Sequence, residues 1–84
     1  MFKNKSTDGR NNICGKNIMK LRKAAQPKMS QRALADKMQL MGIDIDKNAI
    51  QRIECGKRFV TDIELAAFSE VFLVSADRLL EQSL

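Results

Sequence analysis

The chain has 84 residues, 44% of them hydrophobic, a formal charge of +5 and no histidine. That length suits one domain and leaves too little chain for a second core, and no apolar run approaches the roughly 20 residues of a membrane span. The absence of histidine excludes a His-based catalytic triad. Cys14 and Cys55 stand far apart at no metal-ligand spacing, which argues against a zinc site and reads most simply as two reduced packing residues.

Residues 1–11, MFKNKSTDGRN, hold one large apolar side chain, Phe2, and no periodicity, so a mobile basic tail is expected. They contain no apolar signal region, which points to the cytoplasm. The first helix is predicted from near Asn12, because Cys14, Ile18, Leu21 and Ala25 fall on one stripe of a ~3.6-residue period. Pro27 ends it by restricting the residue before it. Ser30 is placed to cap the second helix, whose buried stripe is Leu34, Met38 and Met41. Ala35 is small enough there for another helix to approach, and Gly42 is the left-handed stop. Asp46 caps the third helix, Ile50 and Ile53 face inward, and Gly56 ends it. Thr61 and Glu64 have the spacing of a capping box for the fourth, with Leu65, Phe68, Ser69 and Phe72 inward. Ser75 caps a short fifth helix carrying Leu79 and Leu80. No segment alternates with period two over a useful length. The expectation is an all-α domain of five helices over residues 12–84.

The charge is unevenly spread. Residues 1–28 carry +7, residues 29–60 carry +2 and residues 61–84 carry −4. Such a split offers one face to a polyanion and turns another away; on charge alone, a merely solubilising surface explains it equally well. The second and third helices add a more specific signal. Two short helices joined by a turn place the second to enter a DNA major groove. With Ile50 and Ile53 inward, Lys47, Asn48, Gln51 and Arg52 take the opposite or flanking faces. Arg and Lys pair with guanine O6 and N7, Asn and Gln with adenine N6 and N7. A solvated face usually includes glutamate, and none occurs on this helix before Glu54. Lys57 and Arg58 follow and are expected at the phosphate backbone, which positions a protein without specifying sequence. Ser30 and Gln31 open a helix whose free N–H groups and dipole favour an anion, although a plain cap accounts for Ser30 as well. Arg22 and Glu54 lie on inward-leaning faces, where a lone buried charge is too costly to keep.

These signals also occur in a familiar order. Gly15-x-x-Ile18-x-x-Leu21-Arg22, Ser30-Gln31-x-x-Leu34-Ala35, Ile50-x-x-Ile53-Glu54-x-Gly56, Leu65, and Val74-Ser75-x-x-x-Leu79-Leu80 together resemble the Cro/C1-type, or XRE-like, helix-turn-helix family. The resemblance covers residues 13–81. It implies a five-helix, lambda-repressor-like bundle that binds duplex DNA, usually as a homodimer on a two-fold symmetric operator. It further implies that Gln31 clamps a DNA phosphate and braces the reading helix, and that Arg22 and Glu54 form an ion pair tying the first helix to the third. Between Ala35 and Ile50 the chain is longer than the compact family pattern, with the extra material in Gln39 to Ile45. A second helix one turn longer, followed by a longer turn, is therefore expected.

The function expected is sequence-specific binding of double-stranded DNA by a transcriptional regulator, most simply a repressor acting at the nucleoid. Leu73, Leu79, Leu80 and Leu84 lie among the acidic residues Glu70, Asp77 and Glu81, an end suited either to a two-fold partner or to closing the monomer core. The alternative is an antitoxin-like interaction module, holding a partner protein on that end and DNA on the basic face. RNA binding is disfavoured because the chain has no Trp or Tyr on which to stack bases. An enzyme is disfavoured by the lack of a glycine-rich phosphate loop or a convergent carboxylate pair, and no metal or other cofactor is expected.

Overall fold

Side-chain oxygens set the start of every helix among the described residues, which are 9–82 of the computed structural model. For α1 (Cys14–Ala24) the oxygen is Asn12 Oδ1, which accepts from Gly15 N at 2.9 Å. Ser30 Oγ accepts from Ala33 N and starts α2 (Gln31–Leu40). Asp46 Oδ1 accepts from Ala49 N and starts α3 (Lys47–Glu54). Thr61 Oγ1 accepts from Glu64 N and starts α4 (Asp62–Phe72), while the Glu64 carboxylate accepts Thr61 N at 3.0 Å and closes the capping box. Ser75 Oγ accepts from Arg78 N and starts α5 (Ala76–Leu79). Each bond satisfies a donor that the first helical turn leaves open.

All regular structure among the described residues is helical, as expected. Gly42 and Gly56 follow α2 and α3 with φ of +84° each, the left-handed geometry that glycine takes without strain. By contrast, α4 ends on a left-handed leucine, Leu73 at φ +56°, whose side chain lies in solvent. A non-glycine residue in that region costs roughly 1–2 kcal/mol.

The core draws on every element. Ile18 of α1, Leu34 and Met38 of α2, Ile50 and Ile53 of α3, Phe68 of α4 and Leu79 of α5 are fully buried. Each such burial contributes about 1.5–3 kcal/mol. α3 packs on α1 and α2, α4 packs on α1, α2 and α5, and α5 also touches α1. The outcome is that α3, though only 8 residues long, is gripped on its inner side by the two helices that precede it.

Several expectations need correction. Met41 is not part of the buried stripe of α2; it sits at the helix end, 38% exposed. Its place is taken by Ile45, from the turn, which is 1% exposed. Gln39 Nε2 donates to Ile45 O at 3.0 Å and Met38 O accepts from Ile43 N, so the longer turn folds back over the end of α2. α1 stops at Ala24, earlier than Pro27 alone requires, because Ala25 is already extended and Arg22 O accepts from both Ala25 N and Met29 N. Ser69 faces inward less than expected: its Oγ donates back to Ala66 O at 2.6 Å, and Ala67 is buried in its stead. Of the C-terminal leucines only Leu79 closes the core; Leu73 and Leu80 are exposed, and Leu84 lies outside the described residues. Most of the expected tail also lies outside them, but Arg10 and Asn11 do not behave as tail, being hydrogen-bonded to the far end of α3. No helix among the described residues is long and apolar enough to cross a membrane.

Candidate nucleic-acid interface

α3 divides cleanly into two halves. Ala49, Ile50, Ile53 and Glu54 are buried, while Lys47, Asn48, Gln51 and Arg52 are exposed. The split follows from helical geometry: 47, 48, 51 and 52 share one face, and 49, 50, 53 and 54 share the other. The two isoleucines decide which face turns outward, since both are fully buried. Among the described residues the four exposed side chains make no internal hydrogen bond or ion pair, so their donors point to solvent. The outward face thus carries two cations and two amides. The one acid of the helix, Glu54, is 5% exposed and faces the other way.

Glu54 is tied down by two neighbouring elements. Arg22 of α1 donates from Nε to Oε2 at 2.7 Å and from Nη2 to Oε1 at 2.9 Å. The side chains are 11% and 4% exposed, so both charges are largely withdrawn from water. Arg22 Nη1 also donates to Met29 O at 3.0 Å, which anchors the loop leading into α2. Gln31, the first residue of α2, donates from Nε2 to Glu54 Oε1 at 3.0 Å. One carboxylate therefore holds α1, the α1–α2 loop and α2 in fixed register with α3. The buried ion pair expected between Arg22 and Glu54 is present, and Gln31 is hydrogen-bonded to α3 through the same carboxylate.

The remaining residues divide. Ser30 is exposed with its hydroxyl oxygen used as the α2 cap. Lys57 is exposed just past Gly56, its backbone N–H bonded to Arg52 O at 2.9 Å. Arg58, expected at the phosphate backbone, is committed elsewhere. Its Nη1 and Nη2 donate to Glu64 Oε1 and Oε2, each at 2.9 Å, and Nη1 also donates to Phe59 O. Arg58 holds the Glu64 carboxyl below the usual carboxylate range, and Glu64 in turn raises the guanidinium of Arg58. The capping box fixes that carboxylate a few residues from Arg58, so the nearest anion captures the arginine. Within this set, Lys47, Asn48, Gln51, Arg52 and Lys57 form the free surface, and Arg58 belongs to the scaffold.

Sequence reasoning missed three polar residues. Asn12 Nδ2 donates to Ile53 O at 3.0 Å and Arg58 O at 2.7 Å. Asn17, 5% exposed, donates to Leu79 O and Glu81 O at 2.7 Å each and pins α5 to α1. Arg10 Nη2 donates to Glu54 O at 2.6 Å. The spacing of Asn12 to Gly15 carries a cap signal; the bonds that Asn17 and Arg10 make to backbone carbonyls leave no residue-type trace. Gly15 itself has a steric role, because a Cβ there would overlap the Ile53 carbonyl oxygen where α1 crosses α3.

Among the described residues no cluster of Cys, Asp or Glu could hold a metal ion. Comparison with known protein families, with curated proteins and with solved structures finds no match to this chain.

Proposed function

We propose that this chain is a sequence-specific double-stranded-DNA-binding regulator, a Cro/C1-type helix-turn-helix protein of lambda-repressor-like fold that lays α3 in the major groove. The observation that carries the reading is the outward face of α3: Lys47, Asn48, Gln51 and Arg52 are all exposed, without internal partners among the described residues, and with no acid beside them on that helix face. These groups match base edges in the major groove. Lys57 is placed beyond the helix to meet a phosphate, and Ser30 and Gln31 bring the N-terminus of α2 to another. Repression is the simplest consequence of occupying an operator.

A two-fold dimer would present two copies of α3 about 34 Å apart, one turn of duplex. Leu73, 90% exposed, and Leu80, 41% exposed, offer apolar surface for it at the acidic end of the chain. The same surface is what an antitoxin-like module would use to hold a different protein. Selection of bound duplexes from a random pool tests the proposal. Enrichment of a two-fold symmetric consensus is expected; an unenriched pool after repeated rounds would contradict it.

A further inference from the structure

The C-terminal end of α3 is held from outside by three consecutive residues at the other end of the chain. Arg10 Nη2 donates to Glu54 O at 2.6 Å and to Ile53 O at 3.4 Å. Asn11 donates its backbone N–H to Gly56 O at 2.8 Å and its Nδ2 to Lys57 O at 3.0 Å. Asn12 Nδ2 donates to Ile53 O at 3.0 Å and Arg58 O at 2.7 Å. The carbonyls of Ile53, Glu54, Gly56, Lys57 and Arg58 are thus taken by a strap of three residues. The last turn of a helix leaves its carbonyls open, and a cation there also meets the negative end of the helix dipole. Gly56 is part of the fit: besides its φ of +84°, a Cβ at that position would run into the Arg10 side chain.

We infer that Arg10, Asn11 and Asn12 are positioning residues for DNA reading, fixing the end of α3 and the loop after it so that Arg52 and Lys57 reach base and phosphate in register. The inference rests on the DNA-binding reading of α3 and adds a regulatory consequence: whatever removes or displaces this strap weakens recognition while the fold survives. The physical need is clear from the size of the helix. Eight residues make barely more than two turns, and such short helices fray at their ends. Arg52 lies in the last turn, and Lys57 is joined to it by the bond from Lys57 N to Arg52 O. Without the strap the Arg22–Glu54 pair still holds the helix, but the loop carrying Lys57 keeps only its turn bonds to Arg52 O and Ile53 O.

The test uses the full chain with Arg10→Met, Arg10→Lys and Asn11→Ala, at a temperature where circular dichroism shows each variant fully folded. Affinity is measured for the duplex selected by the parent and for a mixed-sequence duplex of the same length. Arg10→Met should lose roughly tenfold on the selected duplex, the size of one charge-assisted hydrogen bond, and less on the mixed one. Arg10→Lys, which can still donate to Glu54 O, should recover most of the loss. Should Arg10→Met fail to fold, Asn11→Ala, which removes only the side-chain bond to Lys57 O, makes the same comparison. Equal weakening on both duplexes would mark a lost charge instead of lost positioning and overturn the inference, as would parent-like binding by the folded variant. A parent that binds no duplex at all overturns the reading of α3 and this inference together.

Discussion

The guanidinium of Arg22 and the carboxylate of Glu54 meet across α1 and α3 in a two-pronged pair, at 2.7 and 2.9 Å, with almost no access to water. Desolvating both charges is expensive, and their attraction offsets that cost only while both are present. Arg22→Met or Glu54→Leu alone should therefore destabilise the chain by about 3–5 kcal/mol, and the double substitution should recover much of the loss. Thermal melts of the two singles and the double check this. Single variants that melt like the parent would show that the pair contributes no such locking.

Acid should loosen the α3–α4 connection. Arg58, followed by the Thr61 backbone N–H, holds the Glu64 carboxyl below the usual carboxylate range. The unfolded chain, at about 4.3, therefore takes up a proton at this group before the folded chain does. Its contribution is whole above that value and is lost as pH falls through the lower folded value. Glu64→Gln should accordingly lose less stability than the parent on acidification, read as melting temperature against pH. Parallel acid profiles would mean the pair adds nothing.

The two cysteines should differ sharply. Burial pushes the Cys14 thiol up to about 11, whereas Cys55 lies exposed at the end of α3. Since the thiolate is the reactive form, a thiol reagent at neutral pH should label Cys55 in the native chain and Cys14 only after denaturation, as mapped by mass spectrometry. Native labelling of Cys14 at a comparable rate would contradict the packing of α1.

DNA affinity should fall steeply with salt. Counterion release gives a slope near −0.9 per phosphate neutralised, so about four contacts per subunit predict a log–log slope of roughly −7 for a dimer. Lys57→Ala should weaken all duplexes alike and flatten the slope by about 1 per subunit. Arg58→Ala should act chiefly on stability, because its charge is already matched by Glu64. A salt-independent titration would rule out a polyanion on this face.

What could be read from the sequence was what is local. Ser30, Asp46, Thr61 and Ser75 cap, and Gly42 and Gly56 stop, through chemistry confined to a few neighbouring residues. The outward face of α3 was equally legible, because Ile50 and Ile53 fix the helix rotation by period alone. Arg22 and Glu54 were legible as charges in need of a partner. Where two apolar residues compete for one space, periodicity could not choose: Met41 continues the α2 stripe, yet Ile45 fills the core because the turn folds back. The pairing of Arg58 with Glu64 was not legible, because that carboxylate is set by the cap of the following helix. The Arg10–Asn12 strap escaped altogether, since its side chains bond to backbone carbonyls 41 to 46 positions away.

The central claim is that the exposed half of α3 reads sequence, and replacing that half alone tests it most directly. Lys47, Asn48, Gln51 and Arg52 are all exposed and lack internal partners among the described residues, so changing all four to alanine should leave the thermal melt within about 1 kcal/mol of the parent. Affinity for the selected duplex is then compared with affinity for a scrambled one. The parent should discriminate by roughly 10³ or more, and the quadruple variant should lose nearly all of that ratio. A folded variant that still prefers the selected duplex as strongly as the parent does would contradict the account.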